Sequence, residues 1–269
     1  MTQRAANLTS ADVLSQYRRD RFVAPGQVNP ITLAGLQLGA LKALEPDFEP
    51  VAVAPLAPLG SHSVFAGVNQ NNVVSTVRMT EVAADPTNQL ALEVAVRRRA
   101  LLAEKTKSTE LVSLCAVDRV VRAQQFPGDR SFAHFSLLGV AIGGRDAGGR
   151  QFETQALVTV LKSLSAFVHD ATGNDVNVEL SDLDGSFGEV ASDVATRVEA
   201  DHVTCTQDTD RTAGRGYYPN VCFKISVRTE AGTIEIGDGG SVDWTASLLQ
   251  NRKERLIIAG ISLERLAAL

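Results

Sequence analysis

Two stretches rich in β-branched and apolar residues, 112–122 and 132–142, are separated only by the polar segment from Gln124 to Ser131. Strands that follow one another so closely pair antiparallel, because a parallel pair needs a crossover of a dozen or more residues. Around this long-looped pair the remaining periodicities fall into place. Leu33, Leu36, Leu38, Leu41 and Leu44 predict an amphipathic helix, entered through the turn at Pro25-Gly26 and Pro30 and ended at Glu45-Pro46. Asp85-Pro86 reads as an N-cap with proline at the first helical position, opening a helix that carries Leu90, Val94 and Leu101. Leu157, Val160, Leu161, Leu164 and Val168 mark a third. Strands are expected at Pro50 to Leu59, where prolines suit an edge or interface, at Val73 to Arg78, and at 176–180, 221–228, 233–237 and 256–260, with a last helix from near Ser262. Gly143 to Gly149 reads as a flexible turn without the Lys-Ser/Thr of a phosphate loop. One α+β domain over residues 1–269, a mostly antiparallel sheet flanked by helices, accounts for this order.

Composition narrows the function. A chain of 269 residues, 44% hydrophobic, can bury a substantial core. Its apolar runs end well short of the roughly 18 residues that a membrane span needs, and its polar opening lacks the apolar region of a signal peptide, so a cytoplasmic protein without membrane association is expected. Cys115, Cys205 and Cys222 are odd in number and far apart, which suggests neither a disulfide framework nor a zinc site. The net charge of −5 opposes a broad phosphate-binding surface. The local basic cluster Arg97-Arg98-Arg99, with Lys105 and Lys107, reads as a solvated helix face before it reads as a tRNA or interface contact. His62, His134, His169 and His202 have no Ser or Cys at the spacing of a nucleophilic site.

Chemistry is better sought among arginines at the ends of elements. Arg122 sits where a strand exits into the polar loop, and Arg265 just inside the terminal helix entered through Gly260. Rigidly mounted guanidiniums are bidentate, permanently charged clamps for phosphate. Arg122 belongs to the run Val120 to Gly139, and Arg265 to Leu256-Ile257-Ile258-Ala259-Gly260-Ile261-Ser262-Leu263-Glu264-Arg265-Leu266. Ala54-Pro55-Leu56-Ala57-Pro58 follows a long helix, Gly216-Tyr217-Tyr218 precedes a strand, and Asp238-Gly239-Gly240-Ser241-Val242-Asp243 lies downstream. In this order the segments resemble motifs 2, 3 and 1 of the class II aminoacyl-tRNA synthetases, and the tyrosine pair and Gly-Gly-x-x-Asp turn of the histidyl branch.

The resemblance implies an antiparallel sheet whose floor holds ATP and Mg2+. It would place Arg122 on the α-phosphate, Arg265 on the γ-phosphate side, Phe135 against adenine and Gln124 near its amino group, with Glu235 toward magnesium or ribose. It would assign Arg78, Glu81, Tyr217, Tyr218, Gly239 and Gly240 to a small amino or carboxylic acid, the Glu81 carboxylate facing its amino group, and it implies a homodimer through the proline-bearing segment. The chain departs from the pattern at Ala213, Ala133 and Leu137, where the family carries two arginines and a glutamine; Arg211 and Arg215 lie near the first. Nothing resembling an anticodon-binding domain follows Arg265, so charging of tRNA is not expected. Two functions follow: an ATP-dependent ligase that adenylates an amino or carboxylic acid, or a non-catalytic paralogue similar to the synthetase-like regulatory subunit of ATP phosphoribosyltransferase, working with a partner enzyme.

Overall fold

The computed structural model describes residues 2–124, 133–212, 214–230 and 232–269. The polar loop after Gln124 therefore falls outside the described residues, as does Ala213. In chain order the elements are α1 (Thr2–Ala6), α2 (Ser10–Arg19), α3 (Pro30–Leu44), β1 (Glu49–Pro50), β2 (Leu56–Pro58), a π-helical turn (Ser61–Phe65), a 3₁₀ turn (Gln70–Asn72), β3 (Thr80–Val82) and α4 (Pro86–Glu104). Then come β4 (Val112–Val121), β5 (His134–Arg145), α5 (Gln151–Thr172), β6 (Val176–Asp182), α6 (Gly188–Val198), β7 (Val203–Gln207), β8 (Val221–Thr229), β9 (Gly232–Val242), α7 (Trp244–Leu249), β10 (Glu254–Ser262) and α8 (Leu263–Ala267).

Eight strands form one sheet in the order β1-β4-β5-β10-β9-β8-β6-β7. Pairing is antiparallel except at the two edges, β1 with β4 and β6 with β7. Both faces are covered, so alternate residues of one strand enter different cores. Cys115, Leu138, Val140, Ile257, Ala259, Phe223 and Ile225 point into a core shared with α3, α5 and α6. Leu114, Ala116, Ala141, Leu256, Ile258 and Cys222 point the other way, to Leu90, Ala91 and Val94 of α4 and to Trp244. The expected mostly antiparallel sheet flanked by helices is the architecture found.

Three local expectations are corrected. Gly143 and Gly144 belong to β5, not to a turn, because α4 lies too close for a side chain: a Cβ at Gly143 would stand 2.2 Å from Val94 Cγ1. Between Val73 and Arg78 the only ladder contact is an isolated bridge from Ser75 to Glu81, and the strand is Thr80–Val82. Arg78 and Met79 both take positive φ, 64° and 57°, and Thr76 N–H donates to Thr80 O at 2.9 Å, so the chain reverses where a strand was expected. The arginine run on α4 is not a uniformly solvated face. Arg98 is fully buried, donating through Nε to Glu254 Oε2 (2.8 Å) and through Nη2 to Glu254 Oε1 (3.1 Å) and Ser108 O (2.8 Å), while Arg97 pairs with Glu93 and Glu49.

Candidate small-molecule pocket

On the α4 side of the sheet, the segment between β2 and α4 is organised by one carboxylate. Glu81 is fully buried. Its Oε2 accepts from Gly60 N (3.0 Å) and Gln70 Nε2 (2.8 Å), and its Oε1 from His62 N (3.0 Å) and His62 Nδ1 (2.5 Å). Burial by itself would raise its pKa, but the donors from Gln70, Gly60 and His62 outweigh it and hold the carboxyl down at about 2. The far side of the imidazole is also committed: Nε2 accepts the Ala84 N–H at 3.0 Å, which leaves the ring proton on Nδ1. Glu81 and His62 thereby fix the backbone just before Asp85.

Asp85 caps α4, Oδ1 accepting from Thr87 N at 2.9 Å and Thr87 Oγ1 at 2.7 Å. Its Oδ2 takes Arg122 Nη2 at 3.1 Å, and Arg122 Nε donates to Ala84 O at 3.1 Å. The guanidinium also lies 5.1 Å from the centre of the Phe135 ring. Beside this pair opens a cavity of about 220 Å³. Asp85, Arg122, Gln124, His62, Val68, Asn72 and Ala84 line one side; Asn88, Tyr217, Tyr218 and Asp238 line the other.

The second wall comes from aromatic packing on the sheet. Tyr217 meets Tyr218 edge-on at 4.9 Å and Trp244 at 5.7 Å. Tyr218 can lie against β9 because Gly240 has no side chain: a Cβ there would be 2.8 Å from Tyr218 Cδ1 and 2.5 Å from Val221 O. Asp238-Gly239-Gly240 is accordingly mid-strand and not the turn expected. Tyr218 Oη donates to Asp238 Oδ2 at 3.2 Å. Burial, reinforced by the charges of Asp85 and Glu235, pushes the Asp238 carboxyl above its usual range, while the Tyr218 hydrogen bond and the nearby Arg211 pull the other way. Both tyrosine hydroxyls are pushed well above the ordinary phenol value, first by burial and then by the acids around them. Asn88 is buried, and its Nδ2 has no hydrogen-bond partner.

These coordinates resemble solved structures closely enough to decide the fold. The structure of apo histidyl-tRNA synthetase from S. aureus superposes with a TM-score of 0.65 at 11% identity, over 88% of this chain and 64% of that one. The chain has the class II synthetase fold. An ATP phosphoribosyltransferase regulatory subunit/histidyl-tRNA synthetase from Bacillus halodurans matches at TM-score 0.63 and 12% identity, over 92% of this chain and 81% of that one. A histidine-tRNA ligase subunit from Alicyclobacillus acidocaldarius matches at TM-score 0.63 and 13% identity, over 93% and 96%. The chain thus spans 64% of the S. aureus synthetase's length. No protein-family model and no curated protein sequence matches it.

Within this class II fold, the residues named from the sequence divide into two groups. Arg122, Gln124, Tyr217 and Tyr218 meet at the pocket, with Phe135 stacked beside Arg122. The others stand elsewhere. Arg265, on α8, is exposed and donates through Nη1 to Glu235 O at 2.9 Å. The exposed Glu235 carboxylate lies 4.0 Å from Lys224 Nζ. Arg78 is exposed in the tight turn before β3, and Glu81 is sealed behind His62. A Cβ on Gly239 would meet Phe223 and the β10 backbone, so this residue serves strand packing.

A triphosphate would need uncompensated positive charge, and this arrangement does not offer it: Arg122 is closed on Asp85, and Arg265 on a backbone carbonyl. No group of three or more metal-ligating side chains occurs among the described residues. Where the family pattern carries arginine and glutamine, Ala133 and Leu137 are buried, and Leu137 packs with Ala83, Val120 and Phe135. The residues as they stand do not fit ATP with magnesium, and no step is derived through them. His62, Asn88 and Asp238 have no part in the site read from sequence, and Asp85 entered only as a helix cap. Their signal was faint, because it lies in chain crossings that bring residues 62, 88 and 238 to one wall.

Proposed function

We propose that the protein is a binding or regulatory member of the class II synthetase fold, a single domain that holds one amino-acid-sized ligand in the pocket beside Asp238 and does not adenylate it. The observation that carries this reading is the Asp85–Arg122 ion pair. It neutralises the guanidinium best placed for an α-phosphate and leaves a small, polar, preformed cavity walled by tyrosines. At about 220 Å³ the cavity is smaller than the roughly 300–1,000 Å³ of drug-sized sites, which suits a ligand of amino-acid size. A printed neighbour described as a regulatory subunit supports the same direction, and with it a partner enzyme. A library of amino-acid-sized acids, amines and amides should contain compounds that raise the melting temperature. A ligand at about 100 times its Kd adds about 2.7 kcal/mol, or roughly 5 °C or more in a chain of this size. A melting temperature that no compound moves would overturn the reading.

Adenylation is the second reading, favoured by the stacking of Arg122 on Phe135 that the motif 2 resemblance anticipates. It requires Arg122 to leave Asp85 when nucleotide arrives.

Under both readings a homodimer is proposed. Leu56, Leu59, Val77 and Met79 are exposed on the β2–β3 hairpin and its connections, next to the proline-bearing segment. Burying such a face against a twin removes apolar surface from water. Light scattering at micromolar concentration should return a dimer, and Leu56→Glu with Met79→Glu should return a monomer. A monomeric wild type would exclude this interface.

No helix among the described residues is long and apolar enough to cross a membrane.

A further inference from the structure

Each carboxylate and each amide at the pocket can be assigned a partner except two groups. Asp85 is spent: one oxygen caps α4 and the other holds Arg122. Asp238 is not. Tyr218 donates to Oδ2, but among the described residues no group donates to Oδ1 and no ion pair to the carboxylate forms. Its nearest charged neighbours across the sheet include Glu235, of its own sign, and Arg211, which is not among the groups that line the cavity. Facing it, Asn88 is 1% exposed, lines the same cavity, and presents an Nδ2 with no partner. A buried amide donor left unmade costs about 1–3 kcal/mol, so a fold keeps one where something else completes it.

We propose, resting on the ligand-binding reading above, that the pocket selects a small molecule carrying a protonated nitrogen with a hydrogen-bond acceptor one or two bonds away, the nitrogen donating to Asp238 Oδ1 and the acceptor receiving Asn88 Nδ2–H. The two groups call for opposite partners, so the ligand has to carry a donor and an acceptor together. A positive nitrogen is required and not merely any N–H, because Asp238 supplies negative charge that no cation of the protein lining the cavity balances once Asp85 has taken Arg122. Tyr217 and Tyr218 add aromatic faces at which a cation is also favoured.

Amides of small L-amino acids combine the two features, and their N-acetyl derivatives keep the acceptor while losing the charge. In isothermal titration with the full chain, the amides should bind and N-acetylation should weaken binding at least tenfold. Asp238→Asn keeps the shape of the side chain and removes its charge. It should weaken amide binding at least tenfold and leave the N-acetyl derivatives unaffected, with the melting temperature of the free protein unchanged or raised. Asn88→Leu should abolish the preference for an amide over the matching simple alkylamine. Equal affinity for amide and N-acetyl amide would overturn the proposal, as would unaltered amide binding by folded Asp238→Asn. If no amide binds while a neutral or anionic compound stabilises the chain, the cationic ligand is wrong and the pocket reading stands. If no compound of any charge binds, both fall.

Discussion

Replacing Arg98 by Ala should destabilise the fold by about 3–5 kcal/mol, the cost of breaking a buried ion pair by removing one partner. Both side chains are fully excluded from water, 0% exposed each, and the guanidinium also donates to the carbonyls of Ser108 and Glu110 at the end of α4. Alanine would leave the Glu254 carboxylate buried with only Arg145, 3.9 Å away and at the rim of the site, as a countercharge. A melting temperature roughly 10 °C lower is expected for a chain of this size. The paired substitution Arg98→Met with Glu254→Leu should recover most of that loss, because no charge is then left buried. If Arg98→Ala melts within a degree or two of wild type, the pair is not the sealed ionic contact described.

Glu81 should be nearly as costly to replace, and its loss should reach the pocket. Glu81→Ala strands the Gly60 and His62 N–H groups and the His62 ring proton, at about 1–3 kcal/mol for each buried donor left unpaired. His62 would no longer be held in place to accept the Ala84 N–H, so ligand stabilisation should vanish with the native geometry of Asp85. The same carboxylate makes an acid prediction. Its folded pKa of about 2 lies below the ordinary 4.5, so its contribution is fully present above about pH 4.5 and is lost as pH falls toward 2. The shift of about 2.5 units corresponds to roughly 3 kcal/mol. Urea midpoints measured from pH 6 to pH 2 should therefore fall less steeply for Glu81→Gln than for wild type. Parallel curves for the two would show that Glu81 is not the group responsible.

The elements that were legible in the sequence are those whose signals are local. The β4–β5 pair followed from two apolar runs around one polar loop, α4 from Asp85-Pro86, and α5 from its unbroken heptad-like apolar positions. The spacing of Val190, Ala191, Val194 and Val198 on α6 was equally local but went unread, and β7, short and half-exposed at the sheet edge, offers little pattern to read. Gly143 and the Gly239-Gly240 pair misled for a different reason. Glycine favours turns locally, yet here it makes room for Val94, Phe223 and Tyr218, residues far away in the chain. Arg98 poses the same problem, since its partner Glu254 is 156 residues distant. The site was half legible: Arg122 and the two tyrosines carry motif-like neighbours, whereas Asn88 and Asp238 acquire meaning only where α4 crosses β9.

The central claim is that this synthetase fold binds a ligand without activating it. It is tested most directly by ATP–pyrophosphate exchange, run with magnesium, a panel of amino and carboxylic acids, and every compound that raises the melting temperature. Because Asp85 holds Arg122 and Leu137 packs against Phe135, exchange should stay at the level of the protein-free blank for all of them. Exchange that depends on one of these compounds and disappears in Arg122→Ala would contradict the account and establish the protein as an adenylating enzyme.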